Sequence, residues 1–256
     1  MLVAALDTAT LNLSCALVDV ARGEAHRVRC ERSERAPAKP EGGKVAGHSA
    51  ALPQALVDLL TAEGLAIPDV EAYAIGLGPG SFTGLRIGLA TWKGLAYANR
   101  RPIAGASSLA AMALAAAADA GEGSVLVPLL DAKKAEVYAG FYRVVRDGGI
   151  VELAEDAALA PAAVAARLRA VAQGAPAAAF GEGYDAYAAV LEPGLPRLRT
   201  EVRTPAAAAV AALVAERVLA TGFDAQALFA LEPRYVRASE AELKFPKGIG
   251  SGGGGS

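Results

Sequence analysis

The chain has 256 residues, enough for one large domain or two small ones, and 54% of them are hydrophobic, so core-forming residues are ample. A net charge of −2 excludes a global basic field for nucleic acid. The two cysteines, Cys15 and Cys30, fall in predicted strands and read as buried free thiols of a reducing compartment, with a cross-strand disulfide as the alternative.

Leu2 to Leu6 is a short apolar run with strand character. With Asp7 beside it and no basic region ahead, the N-terminus does not read as a signal peptide. Asp7-Thr8-Ala9-Thr10 turns the chain and Leu13 to Val18 returns it. After a second turn at Arg22-Gly23-Glu24, Ala25 to Arg32 alternates, with His26, Val28 and Cys30 opposite Arg27 and Arg29. The result is a three-stranded meander. Residues 33 to 47, polar and carrying Pro37 and Pro40, read as a mobile loop. His48 to Leu60 reads as a helix with Leu52, Leu56, Leu59 and Leu60 on its apolar face and Pro53 in its first turn, where a missing N–H is tolerated. Ala72 to Leu77 is a buried strand that runs into a Gly- and Pro-rich turn. Ser81 stands at the N-cap of the next helix, whose apolar stripe is Leu85, Leu89, Trp92 and Ala96. Pro102 to Gly105 is a short strand, and Ser107 or Ser108 caps an Ala-rich helix to about Ala118, too short to span a bilayer.

Then the order recurs. Val125 to Leu130 is a strand ending in Asp131, and Ala132-Lys133-Lys134 turns it into Ala135 to Val145. Asp147-Gly148-Gly149 turns again into Ile150 to Leu153. A helix over residues 161 to 172, a strand over 177 to 181 and a short helix follow. Thr204 caps a long helix to about Ala220, with Pro205 at its first position. From Phe223 the chain reads as irregular. Each half thus runs strand, strand, strand, helix, strand, helix, and opens with a hairpin that carries an Asp at its turn, Asp7 or Asp131. The expected fold is α/β with two lobes, each a mixed sheet with helices. Residues 1–105 form the first lobe, completed by the helix at 204–221, and residues 106–203 form the second. Residues 222–247 are a C-terminal extension, and 248–256 a Gly/Ser linker or tag.

A strand, a Gly-rich turn and a helix N-terminus together bind anions in many proteins. The turn at Gly78 to Ser81 is neither a P-loop nor G-x-G-x-x-G, and a tight strand-to-helix turn is the plainer reading. The helix glycines say more. Each costs about 1 kcal/mol against Ala, and Gly84 and Gly88 share one face. Close approach of another backbone, inside the fold or on a partner, offsets that cost. Arg86 and Lys93 share a second stripe with Ala90 and Tyr97, either solvated or the rim of a contact. His26 and His48 are the only histidines, with no His-x-x-x-His and no cysteine cluster, so no metal site is expected. A nucleophilic triad lacks its motif as well.

Gly78-Pro79-Gly80-Ser81-Phe82-Thr83-Gly84-Leu85-Arg86-Ile87-Gly88 closely resembles the signature of the TsaB (YeaZ) family, bacterial subunits needed to make threonylcarbamoyladenosine in tRNA. Asp7-Thr8-Ala9-Thr10, His48-Ser49, Leu52-Pro53, Ser107-Ser108-Leu109, Asp131-Ala132 with Glu136-Val137-Tyr138, and the ending Pro233-Arg234-Tyr235-Val236-Arg237 resemble further segments of that family. The resemblance implies the actin-like ATPase architecture, with a cleft between the lobes and two hairpin turns that grip phosphates from opposite sides. Asp7, Thr8, Thr10, Gly78, Gly80 and Asp131 are then vestigial phosphate-loop candidates. Ala9 stands where close approach calls for Gly, and Lys133 and Lys134 follow Asp131 where a glycine-containing turn is expected. The catalytic paralogue of that family, TsaD, carries a metal-binding His-x-x-x-His where this chain has Ser108 and Met112, neither a normal ligand of a hard divalent ion.

The resemblance therefore implies a non-catalytic scaffold subunit that binds TsaD, with the ATPase TsaE joining, and supports transfer of threonylcarbamoyl to adenosine 37 of tRNAs reading codons that begin with A. It also implies a homodimer through the same face when the partner is absent. That face combines His48 and Leu52 with Ser81, Phe82, Gly84, Leu85, Arg86, Gly88, Leu89 and Lys93. The chain itself is expected to hold no cofactor, with room for ATP or ADP at the partner interface. It is expected to meet tRNA only through the complex, to bind no membrane and to be cytoplasmic. Two alternatives come from other classes. One is an ATP-dependent actin-like kinase or hydrolase acting on its own, motivated by Asp7 and the Gly78 turn. The other is direct tRNA binding through Arg27, Arg29, Arg32 and Arg35.

Overall fold

A computed structural model describes residues 1–35 and 48–236. The first half builds β1 (Leu2–Asp7), β2 (Asn12–Asp19), β3 (Arg27–Arg35), α1 (His48–Ala62), β4 (Ala72–Gly76), α2 (Phe82–Ala98) and β5 (Ile103–Ala106). These strands form one sheet in the order β3-β2-β1-β4-β5. β1 runs antiparallel to β2 and parallel to β4, which is parallel to β5. Next come α3 (Ser108–Ala115), β6 (Val125–Lys133), β7 (Glu136–Val144), β8 (Ile150–Leu159), α4 (Pro161–Ala172), β9 (Ala177–Phe180), α5 (Glu182–Ala186) and α6 (Ala188–Leu191). The second sheet has the order β8-β7-β6-β9, with β6 antiparallel to β7 and parallel to β9. Each half thus makes a meander, crosses over through a helix, and lays the next strand parallel to its first, since parallel neighbours need a crossover. The repeat of element order is a repeat of topology, and it defines the two-lobed actin-like α/β architecture. The last helices of the described residues are α7 (Ala207–Ala220) and α8 (Ala225–Ala230).

β1 is buried on both faces, which is why it reads as an unbroken apolar run rather than an alternating one. Leu6, with Tyr73 and Ile75 of β4, meets Leu52, Leu56 and Leu60 of α1 and Trp92 of α2. Trp92 adds a bond from its indole N–H to the Ala4 carbonyl at 3.1 Å and an edge contact with Tyr73. Val3 and Ala5 point the other way, onto Val210, Val214 and Val218 of α7. In the second sheet, α4 covers one face through Val164 and Leu168. The other face meets Leu109 and Met112 of α3. α3 also packs on α7, so it lies between the two layers.

Several expectations need correction. β3 runs to Arg35, so residues 33–35 are strand rather than loop; residues 36–47, like 237–256 with the linker, lie outside the described residues. Pro53 sits in the second turn of α1, not the first. β8 is ten residues long because it pairs with β7 along its length, across register shifts that no local pattern announces. The segment after Phe223 holds a short helix, α8, capped by the Asp224 carboxylate. α7 is not capped by Thr204. It starts at Ala207, whose N–H donates to Ser14 Oγ at 2.9 Å, while the Ala208 N–H donates to Glu31 Oε1 at 3.2 Å. Both acceptors belong to distant strands, so no local capping signal exists. Cys15 and Cys30 are both free, and the register sets Cys15 opposite Arg32 and Cys30 opposite Leu17. Burial pushes the Cys15 thiol up to about 12.

Replacing the remote cap tests this arrangement. Ser14→Ala should cost about 1–2 kcal/mol and lower the thermal midpoint by about 3–6 °C. Thr204→Ala should shift it by less than about 1 °C, because Thr204 makes only a 3.3 Å bond from Asn12.

Candidate functional site

The turn between β1 and β2 is sunk into the first turns of α2. Ser81 caps α2 by accepting the Gly84 N–H at 3.2 Å, and its own N–H donates to the Ala9 carbonyl at 2.6 Å. A Cβ at Gly80 would overlap the backbone of Ala9, one at Gly84 the Thr8 carbonyl, and one at Gly88 the Thr8 hydroxyl. The glycines that break helix propensity in α2 are thus explained inside the fold: they admit a neighbouring turn of the same chain. Asp7 is 1% exposed. Its Oδ1 accepts the Ala9 N–H at 2.8 Å and its Oδ2 accepts the Ser108 hydroxyl at 2.6 Å. A Cβ at Gly76 would overlap that carboxylate. Ser108 also accepts the Gly78 N–H at 3.1 Å, and its N–H donates to the Gly78 carbonyl at 2.8 Å. The Gly78–Pro79 peptide is cis and Gly78 has φ of 89°. Burial pushes the Asp7 carboxyl up to about 6, against the two hydrogen bonds, which favour the charged form.

A cleft of about 840 Å³ lies between the lobes. Thr10, Gly80 and Phe82 line it from the first lobe, and Asp131 and Lys133 from the second. The two hairpin turns therefore meet it from opposite sides. Asp7, Thr8 and Gly78 do not line it; the carboxylate is turned inward and Thr8 is fully buried. Thr10 is occupied with Asn12, accepting its N–H at 3.0 Å. Asp131 is held by the Lys133 N–H at 2.8 Å and its ammonium at 2.6 Å. Met112 lies in the core and Ser108 is bonded to Asp7, so neither position offers a ligand. No group of three His, Cys, Asp or Glu side chains suited to a metal exists among the described residues.

The outer surface of α2 is smaller than the sequence suggested. Leu52, Leu85 and Leu89 are at most 6% exposed, and Gly84 and Gly88 are buried, so all five face inward in the chain by itself. His48 opens α1, but its side chain lies outside the described ones. Ser81, Phe82 and Arg86 are exposed and Lys93 is half-buried. The segment that follows α7 runs along this surface. Arg86 stacks over Phe82 at 3.9 Å and donates from Nε to the Tyr235 hydroxyl at 2.9 Å. Tyr235 packs on Phe82, and Tyr97 on Phe229 and Phe223. Lys93 donates to the Phe229 carbonyl at 3.0 Å. The four exposed aromatic side chains of the described residues, Phe82, Tyr97, Phe229 and Tyr235, all lie here. Sequence reasoning missed the aromatic role of Phe229 and Tyr97 and noted Tyr235 only as part of an ending; nothing local links residues so far apart.

The fold defines a two-lobed actin-like α/β protein whose β1–β2 turn is packed against the first turns of α2. A family model described as tRNA N6-adenosine threonylcarbamoyltransferase (TsaD) matches residues 33–245. The chain is 36% identical over 143 residues to the tRNA threonylcarbamoyladenosine biosynthesis protein TsaB of Escherichia coli (strain K12), covering 56% of this chain and 55% of that protein. It is 36% identical over 143 residues to the TsaB of Haemophilus influenzae, covering 56% and 53%. The chain spans about half the length of the curated relatives it matches. Over nearly its whole length it is similar to the crystal structure of an uncharacterized protein with similarity to peptidase YEAZ from Pseudomonas aeruginosa, with 28% identity, TM-score 0.70, and coverage of 92% and 99%. YeaZ from Pseudomonas aeruginosa gives 28% identity, TM-score 0.67, and coverage of 89% and 98%. The chain belongs to the TsaD family that the model describes, on its TsaB (YeaZ) branch.

Two measurements follow from the turn. A folded pKa above the unfolded value means that Asp7 adds stability below about pH 4, lost as pH rises through about 6. Between pH 4 and 7 the wild type should therefore lose about 2 kcal/mol relative to Asp7→Asn in denaturant titrations. Gly84→Ala should destabilise by about 2–3 kcal/mol, because the added methyl meets a backbone oxygen rather than a mobile side chain.

Proposed function

We propose that the chain is a non-catalytic scaffold subunit of the assembly that adds threonylcarbamoyl to N6 of adenosine 37 in tRNAs reading codons that begin with A. One observation carries this reading: the β1–β2 turn fills the space against Gly80, Gly84 and Gly88, and Asp7 is turned away from the cleft. In the active form of such a fold that turn holds phosphate. Here the Ala9 N–H is taken by Asp7 and the Thr10 hydroxyl by the Asn12 carbonyl, so two of the turn's donors are turned into the chain rather than toward the cleft. The names of the relatives support the pathway.

The catalytic paralogue, a TsaD-type protein, is the partner, and a TsaE-type ATPase joins the assembly. The chain contributes the outer face of α2, where Phe82, Arg86 and Lys93 stand among the exposed aromatics. A second copy takes that face when the partner is absent. tRNA is engaged only by the assembled complex, and ATP or ADP, where present, sits at the partner interface. The work is done in the cytoplasm; no helix among the described residues is long and apolar enough to cross a membrane.

The test is a reconstituted modification reaction with a TsaD-type protein, a TsaE-type ATPase, the threonylcarbamoyl-AMP synthase and ATP. Modified adenosine should form only when the chain is present; equal yield without it overturns the scaffold role. Calorimetric titration of the isolated chain with Mg-ATP should give no heat of binding, whereas tight binding would favour a stand-alone kinase or hydrolase. Arg86→Glu should weaken association with the TsaD-type partner by about ten-fold or more while leaving the circular dichroism spectrum unchanged. Gly88→Leu, by contrast, should unfold the chain rather than merely block association, because its side chain would meet Thr8.

A further inference from the structure

Two adjacent residues near the end of the described chain hold opposite sides of the molecule. Arg234 donates its backbone N–H to the Leu77 carbonyl, just past β4, at 2.7 Å. Its guanidinium lies 3.6 Å from the Asp156 carboxylate on β8, in the second lobe. The Asp156 side chain is only 2% exposed. It accepts the Ser107 hydroxyl at 2.5 Å and the Tyr142 hydroxyl at 2.6 Å. Ser107 is the N-cap of α3 and accepts the N–H groups of Leu109 and Ala110, both at 3.1 Å. This one buried carboxylate thus gathers β7, β8 and the start of α3, and Arg234 is its cationic partner among the described residues. Tyr235 turns the other way, against Phe82 and Arg86 of α2. Consecutive Cα atoms are about 3.8 Å apart, so a backbone shift that carries Tyr235 off α2 also displaces Arg234.

We propose that Arg234 and Tyr235 form a latch that couples the outer face of α2 to the Asp156 cluster, so that a protein seated on Phe82 and Arg86 loosens the N-cap of α3. A partner that takes the Phe82 ring or the Arg86 guanidinium removes what Tyr235 stands on. Arg234 then withdraws, and Asp156 is left buried with hydroxyl donors alone. Leaving one member of a buried charge pair without the other is strongly unfavourable. The cluster relieves that by taking up a proton or water, and the bonds of Ser107 change with it. Because α3 lies between the two layers, its first turn is the place where such a change reaches both lobes. Arg234 and Tyr235 also line the cleft, so the latch forms part of its wall. The proposal deepens the scaffold reading and rests on it only for the identity of the partner.

The test uses the whole chain without any partner. Amide exchange at Leu109 and Ala110 is followed by NMR in the wild type, Arg234→Gln, Tyr235→Ala and the double variant. Exchange should quicken about five- to ten-fold in Arg234→Gln and by a similar factor in Tyr235→Ala, although Tyr235 touches no member of the cluster. The double variant should be no faster than the faster single one. Tyr97→Ala, which disturbs the same face away from the latch, should leave both amides at the wild-type rate. Unchanged exchange in Tyr235→Ala, or effects that multiply in the double variant, overturns the latch. If Arg234→Gln does not fold, Arg234→Lys takes its place: the retained charge should hold exchange near the wild-type rate, and Tyr235→Ala then decides alone. Failure here leaves the docking reading standing, whereas undiminished partner binding by Arg86→Glu speaks against docking and not against the latch.

Discussion

The bond between Asp7 and Ser108 is the constraint from which the first lobe is arranged. It ties the end of β1 to the start of α3 across a 101-residue separation, in a place where neither group meets water. A carboxylate so placed needs every neighbour to give way, and the neighbours are glycine or a hydroxyl. Gly76 leaves room for the carboxylate itself, Gly78 supplies an N–H to the same serine, and Gly80, Gly84 and Gly88 let the turn descend onto α2. What reads along the chain as a glycine-rich signature is, in space, a single close contact seen from several positions. Burial makes that contact costly at neutral pH, and the surrounding core of Leu6, Tyr73, Ile75 and Trp92 offsets the cost.

The same geometry sets what the β1–β2 turn offers the cleft. An anion site needs N–H groups that face open space. Here the Ser81 and Ala9 N–H groups are answered by the Ala9 carbonyl and by Asp7. The cleft is lined by both turns, yet the first presents Ala9, Thr10 and Leu11 to it rather than its acid. With Gly84, Gly88, Leu85 and Leu89 turned inward, the outward side of α2 carries Phe82, Arg86 and Tyr97.

Much of this was legible in the sequence, where the determining signals are local. Periodicity located α2 and its buried stripe, Ser81 announced its cap, and the recurring order of elements predicted two like sheets. The failures share a cause. The cap of α7 comes from Ser14 and Glu31, nearly two hundred residues upstream. The length of β8 is set by its partner β7, since Ala-rich and acidic residues carry little strand signal of their own. The face of Gly84 and Gly88 was open between two readings because spacing shows that something approaches, not what. The aromatic surface escaped notice for the same reason: Phe82 and Tyr235 are ordinary residues until the end of the chain comes back to lie on the helix near its middle.

The placement of α7 has a consequence for how the molecule is made. The first sheet is complete in strands by Ala106, but the helix that covers its second face does not begin until Ala207. In chain order, the second sheet falls between the first sheet and the helix that packs on it. During synthesis Val3, Ala5 and Val18 emerge well ahead of the helix that covers them, with the whole second sheet translated in between. A fragment that stops short of α7 keeps every strand of the first sheet and still leaves one side of it bare. Neither lobe is a unit that a gene fusion or truncation can lift out by a single cut.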